Sequence, residues 1–178
     1  MDFTEKTIAT REIYKGRIVH LVEDTVILPD GRQAGRELVL HNGGAGVIAI
    51  DEDKNVLMVS QYRKPYDEMV LEVPAGKLEP DEDHKDTALR ELEEETGYTA
   101  EKLTYIGKCY PTPGYCSEIT YLYFAENLSY VGQKLDHGEF VELKKIPLSE
   151  LVEMVMNNEI HDAKTAIAIL KADKIVNR

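Results

Sequence analysis

Apolar and polar residues alternate in short runs over the first part of the chain, from Lys6 to Ile13, from Arg17 to Leu28 and from Gly35 to His41. A period of two places successive side chains on opposite faces, so these runs predict strands of a small antiparallel sheet, with Pro29-Asp30-Gly31 as a turn. Asn42-Gly43-Gly44 breaks the pattern, and two domains are expected, an N-terminal β arm over 1–42 and a larger domain over 43–178. Beyond the break, the unbroken apolar runs Val47-Ile48-Ala49-Ile50 and Val56-Leu57-Met58-Val59 flank Asp51 to Asn55 and predict a buried hairpin. Further strands are expected at Met69 to Val73, Leu103 to Tyr110, Ile119 to Ala125 and Phe140 to Lys145.

Three segments change to helical spacing. In the first, Ala88, Leu89 and Leu92 form an apolar stripe, Pro80 and Asp81 mark the start with Asp81 as N-cap, and Gly97 closes the helix in the left-handed region. A second helix is expected from Ser149, a good N-cap, to about Asn157, and a third from about Asp162 to Lys174. Strands and helices in this order suit an α/β fold with a sheet between helices.

The first helix also carries the chemistry. Glu91, Glu94 and Glu95 fall at i, i+3 and i+4 on one face beside the apolar stripe. Like charges at that spacing cost a helix about 0.2–0.5 kcal/mol per pair, so the triplet needs something positive over it. The segment offers carboxylate oxygens and, apart from His84, no histidine or cysteine, which favours Mg²⁺ or Mn²⁺ over zinc. A solvated acidic face is the commoner reason for such a run, and only its spacing argues otherwise.

Composition sets the remaining bounds. The chain has 178 residues, 43% of them hydrophobic, and a formal net charge of −12, which argues against nucleic-acid or anionic-membrane partners. Cys109 and Cys116 give no disulfide framework, no apolar run approaches a membrane span, and the opening residues have no signal-peptide core, so a cytoplasmic protein is expected.

From Gly76 to Tyr98 the order is Gly76, five residues, Glu82, seven residues, Arg90-Glu91-Leu92, one residue, Glu94-Glu95, one residue, Gly97 and bulky Tyr98. This resembles the signature of the Nudix hydrolases at every defined position. The resemblance implies the Nudix α/β/α sandwich with a mixed sheet, and a metal-dependent hydrolase of nucleoside diphosphates linked to another moiety. It assigns metal ligation to Glu91 and Glu95, with Glu94 close by as a ligand or catalytic carboxylate and the Ala75 carbonyl joining them. Arg90 would orient the box glutamates, and Glu82 would support them.

Four features outside the box resemble the ADP-ribose and ADP-sugar pyrophosphatase branch of that family. Pro113 stands sixteen residues beyond Gly97, in a Pro-Gly loop followed by Ser117-Glu118. Gln61-Tyr62-Arg63 precedes the box, and an arginine there can fork onto a phosphate. Gly138-Glu139-Phe140 resembles a loop carrying a general base or further metal contact, so Glu139 is the favoured base with Glu118 and Asp136 as rivals. The N-terminal sheet resembles an arm that swaps between the subunits of a homodimer, which would bring Arg36 and Glu37 near adenosine. Glu72, at the end of the strand before Gly76, is a further candidate for substrate contact, with Pro113 and Glu118. The chain has no tryptophan, so a base would stack on an arginine plane, a tyrosine or Phe3.

The resemblance thus implies hydrolysis of ADP-ribose or an ADP-sugar, a small-molecule substrate, to AMP and a sugar phosphate. Cleavage of dinucleotides, GDP-sugars or nucleoside triphosphates is the alternative, and a non-catalytic ADP-ribose sensor a further one.

Overall fold

The structure, a computed structural model, describes residues 2–135, 138 and 140–177. Packing divides the chain into two compact units, Met1–Gly43 with Tyr110–Ile119, and Gly44–Cys109 with Thr120–Arg178.

The first unit is a three-stranded antiparallel sheet of β1 (Lys6–Lys15), β2 (His20–Ile27) and β3 (Gln33–Leu40), with β2 in the centre. Val22 and Val26 of β2 are buried, whereas every residue of β1 is exposed. The segment from Tyr110 to Ile119 joins this unit through backbone bonds on both sides of Val39: its N–H donates to Tyr115 at 2.8 Å, and its carbonyl accepts from Ser117 at 2.9 Å.

The second unit holds a seven-stranded mixed sheet and three helices. In chain order these are β4 (Gly44–Ile50), β5 (Asn55–Arg63), β6 (Glu68–Glu72), β7 (Ala75–Lys77), α1 (His84–Thr96), β8 (Tyr98–Cys109), β9 (Thr120–Tyr130), β10 (Val141–Pro147), α2 (Leu148–Met156) and α3 (Ala163–Val176). The strand order is β10-β5-β4-β9-β8, with β6 paired to β5 and β7 to β4, and β4 runs parallel to β9. All seven residues of β4 are buried, as expected of a strand covered on both faces.

Alternation sorts its apolar residues between two cores. Ile48, Ile50, Val56, Met58 and Phe124 pack with Leu148 and Leu151 of α2 and Ala168, Ile169 and Ala172 of α3. Val47, Ala49, Leu57, Tyr123 and Ala125 pack on the other face with Ala88 and Leu92 of α1. The second unit is therefore the expected α/β/α sandwich, and α1 is held against the sheet by its apolar stripe.

Several boundaries differ from the sequence reading. The N-cap of α1 is Asp83, which accepts from Lys85 N at 2.8 Å, rather than Asp81. Asp81 instead has φ of 65°, inside a turn in which Glu82 N donates to Glu79 O at 3.2 Å. Pro80 followed by a positive φ is turn chemistry, so proline and aspartate bend the chain before the helix rather than start it. Likewise α2 begins at Leu148, with Pro147 as a cap that makes no side-chain bond, and Ser149 already lies inside. Leu148 is buried and its N–H is taken by Lys54 O at 3.0 Å, which fixes the start there. β8 begins at Tyr98, five residues earlier than expected, because Tyr98 pairs with Tyr130 of a longer β9. Ala75–Lys77, beyond the strand expected to end at Val73, forms a short strand on β4.

Candidate active site

The carboxylates of α1 lie at the boundary between its buried stripe and solvent. Glu91 and Glu95 are buried, at 8% and 3% exposure, while Glu94 and Arg90 are partly exposed. Burial of charged side chains requires partners, and Arg90 supplies them. Its Nη1 donates to Glu91 at 2.7 Å and to Glu94 at 2.9 Å, and its Nε donates to Glu82 at 2.9 Å. Arg90 thus draws three glutamates to one guanidinium. Hydrogen bonding from Arg90 pulls the Glu82 carboxyl down to about 2, and the same pairing raises the arginine far above its ordinary value.

Glu95 accepts from Ala75 N at 2.9 Å, which ties the helix to the strand carrying Ala75 and Gly76. Gly76 lies directly against Glu91: a Cβ at Gly76 would overlap that carboxylate. Glu91 and Glu94 thus share Arg90, and Glu95 is bonded to the β7 backbone. Among the described residues, no group of three or more His, Cys, Asp or Glu side chains is arranged to hold a metal ion. The donor set nevertheless suits a hard cation by charge and type, with four carboxylates against one guanidinium and oxygen donors only. His84 is engaged elsewhere, its Nδ1 2.5 Å from the Tyr123 hydroxyl and its ring stacked on Tyr121 at 4.0 Å.

Arg63, at the end of β5, forks onto Glu72 at the end of β6, with Nε to Oε1 at 2.6 Å and Nη2 to Oε2 at 2.9 Å. These bonds raise the arginine's pKa, and the charge of Glu95 adds to the effect. Glu72 is almost fully buried and also accepts from Lys164 at the start of α3. Burial presses the Glu72 carboxyl upward, but the bonds from Arg63 and Lys164 outweigh it and hold it below the usual range. Lys164 and Glu72 stand 92 positions apart, so no local pattern in the sequence predicts their pairing.

The structure thus brings Arg63, Glu72, Ala75, Glu82, Arg90, Glu91, Glu94 and Glu95 together in the second unit. Arg36, Glu37, Pro113 and Glu118 belong to the first unit. There Arg36 is paired with Glu5, at 2.9 Å from Nε and 2.5 Å from Nη2, and Glu37 and Pro113 are exposed. Glu139 and its rival Asp136 lie outside the described residues.

An α/β/α sandwich whose box helix presents clustered glutamates beside a glycine strand defines a hydrolase of the Nudix class. Residues 40–167 match the NUDIX domain, and the chain belongs to that family. Residues 5–39 match the nucleoside diphosphate sugar hydrolase N-terminal domain. The chain is 46% identical to the ADP-ribose pyrophosphatase of Bacillus subtilis (strain 168) over 93% of its own length and 90% of the relative's. It is 46% identical to a methanol dehydrogenase activator of Bacillus methanolicus, over 94% and 91% of the two chains. An ADP-ribose pyrophosphatase of Mycobacterium tuberculosis is 32% identical over 93% of this chain and 81% of its own. Among solved structures, an ADP compounds hydrolase shares the fold at a TM-score of 0.86 and 18% identity, over 99% and 97% of the two chains.

Proposed function

We propose that this Nudix hydrolase cleaves the pyrophosphate bond of ADP-ribose or a related ADP-sugar, giving AMP and a sugar phosphate. The observation that carries the reading is the pairing of two differently built charge clusters in one unit: the glutamates gathered by Arg90, and an arginine edge fixed by Glu72. The first suits cations, the second suits phosphate. Relatives named as ADP-ribose pyrophosphatases, similar over nearly the whole chain, support the choice of substrate.

A divalent cation is general to the family, and here Mg²⁺ or Mn²⁺ is the proposed ion. Glu91, Glu94, Glu95 and the Ala75 carbonyl would hold it, and when bound it would neutralise diphosphate oxygens and lower the pKa of a water. The chain's own residues do the rest. Arg63 already spends Nε and Nη2 on Glu72, and its Nη1 donates to no group among the described residues. That edge would receive a phosphate oxygen. Arg90 keeps the box carboxylates oriented, and Glu94 or Glu139 would take the proton of the attacking water. The phosphorus–oxygen anhydride bond breaks as the new bond to water oxygen forms, so each product leaves as a monophosphate.

The arm over 1–42 is proposed to build a homodimer and, with Arg36, Glu37, Pro113 and Glu118, to complete the substrate site. Support comes from β1, a ten-residue strand exposed throughout that includes Ile8, Ile13 and Tyr14. No helix among the described residues is long and apolar enough to cross a membrane, and Cys116 is a free thiol, which suits a reducing cytoplasm.

The test is product identification on a panel of ADP-ribose, ADP-glucose, GDP-mannose, dinucleotides and nucleoside triphosphates. AMP and ribose 5-phosphate from ADP-ribose are expected with Mg²⁺ or Mn²⁺, and no turnover once a chelator has removed the metal. Preferred release of pyrophosphate from a triphosphate would overturn the reading.

A further inference from the structure

Four charged side chains from three elements form one alternating chain: Arg63, Glu72, Lys164 and Asp162. Arg63 forks onto Glu72, Lys164 donates to Glu72 and also to Asp162 at 3.0 Å, and Asp162 caps α3 by accepting from Thr165 N at 3.0 Å. The next residue of α3 grips the next residue of the strand, since Val73 N donates to the Thr165 hydroxyl at 2.9 Å. Lys164 and Thr165 therefore clamp Glu72 and Val73, immediately before the strand that carries Ala75 and Gly76.

The sharing of Glu72 gives the clamp a purpose. Here a second cation draws on the same carboxylate, on the oxygen that Nη2 uses. Glu72 is thereby held by two donors, which fixes the orientation of Arg63, while the four side chains balance as two cations against two carboxylates. A salt bridge serving only stability has no need of a buried lysine, because desolvation erodes what such a group contributes. Burial would strip the proton from Lys164, yet Asp162 and Glu72 hold it on.

We infer that Lys164 is a positioning residue for substrate binding: by holding Glu72 it fixes Arg63 so that its Nη1 edge, which donates to no group among the described residues, is aimed at the diphosphate. This rests on the reading of Arg63 as a ligand of that diphosphate. Lys164 touches neither substrate nor reacting atoms, so its loss weakens binding rather than the chemical step.

The experiment is a double-mutant cycle of Lys164→Met and Arg63→Met in the full chain, reading KM and kcat for ADP-ribose at saturating Mg²⁺. Lys164→Met leaves each carboxylate a partner, Arg63 for Glu72 and the Thr165 N–H for Asp162, so the variant is expected to fold. Each single variant is expected to raise KM by about tenfold or more, with kcat altered by less than about threefold for Lys164→Met. The double variant is expected to match Arg63→Met, because Lys164 acts through it. Lys164→Arg is expected to restore most of the KM.

An unchanged KM in Lys164→Met, or additive effects in the double variant, would overturn the positioning role while leaving the Arg63 reading intact. An unchanged KM in Arg63→Met would instead overturn the diphosphate reading, and this inference with it. Should Lys164→Met not fold, Lys164→Gln, which keeps a donor for Glu72 but no charge, is measured against Lys164→Arg. Equal KM values in those two would overturn the proposal.

Discussion

A methyl group at Gly76 has no room, because the carboxylate of Glu91 already occupies the space and is itself held by Arg90. Gly76→Ala must therefore displace a charged, buried side chain, and overpacking of this kind costs about 1–3 kcal/mol. A lowered melting temperature together with loss of turnover is expected, and wild-type behaviour in both would show that Glu91 moves at no cost. Glu94 and Glu95 test the chemistry more directly. Replacing either by glutamine keeps shape and hydrogen bonding but removes a charge, and turnover should fall by about 10²-fold or more with the fold intact. Near-normal rates at saturating metal would remove these residues from the site. Glu82 gives a pH signature. Its carboxyl lies near 2 in the folded protein against an ordinary 4.5, so the unfolded chain binds the extra proton between those values. Its contribution is present above pH 4.5 and is lost as pH falls through that window toward 2. In metal-free protein, Glu82→Gln should therefore flatten the fall in melting temperature below pH 4.5, with little effect of pH above it.

At the scale of elements, α1 joins two requirements that sequence periodicity alone separates. Its stripe of Ala88 and Leu92 packs on the sheet, and its neighbouring face, Glu91 and Glu95, is carried into partial burial with it. The helix is fixed at its start by Asp83 and at its end by Gly97, which has φ of 76° and donates to Glu93 O at 2.8 Å. Asp83→Ala removes the acceptor for Lys85 N and should cost about 1 kcal/mol in denaturant unfolding. Asp81→Ala removes no helix cap and should cost less than its neighbour's loss, which reverses the order expected from the sequence. The spacing of the Nudix box was legible because its residues lie on one helix, where a fixed rise and turn convert sequence offsets into directions. The caps were not, because aspartate serves turn and cap equally well, and only the folded chain shows Asp81 in the turn over 79–82 and Asp83 at the cap.

For the whole molecule, the arm poses the main question. Ten exposed residues in β1, among them Ile8, Ile13 and Tyr14, form an edge strand of a kind that soluble chains normally cover. Ile13→Lys with Tyr14→Lys, which places charge on both faces of that strand, should halve the particle mass seen by light scattering. An unchanged mass would remove β1 from the proposed dimer interface. What the residues determined by themselves was whatever short range controls: the strand and helix periods, the sandwich they imply, the box and its preference for hard cations. What only the tertiary structure decided was which charges meet. Arg63 with Glu72, Lys164 with Glu72 across 92 positions, and Glu95 with the Ala75 backbone arise when sheet and helices close on one another. No local rule encodes those pairings, because a buried charge selects its partner by proximity in the folded chain, not by distance along it.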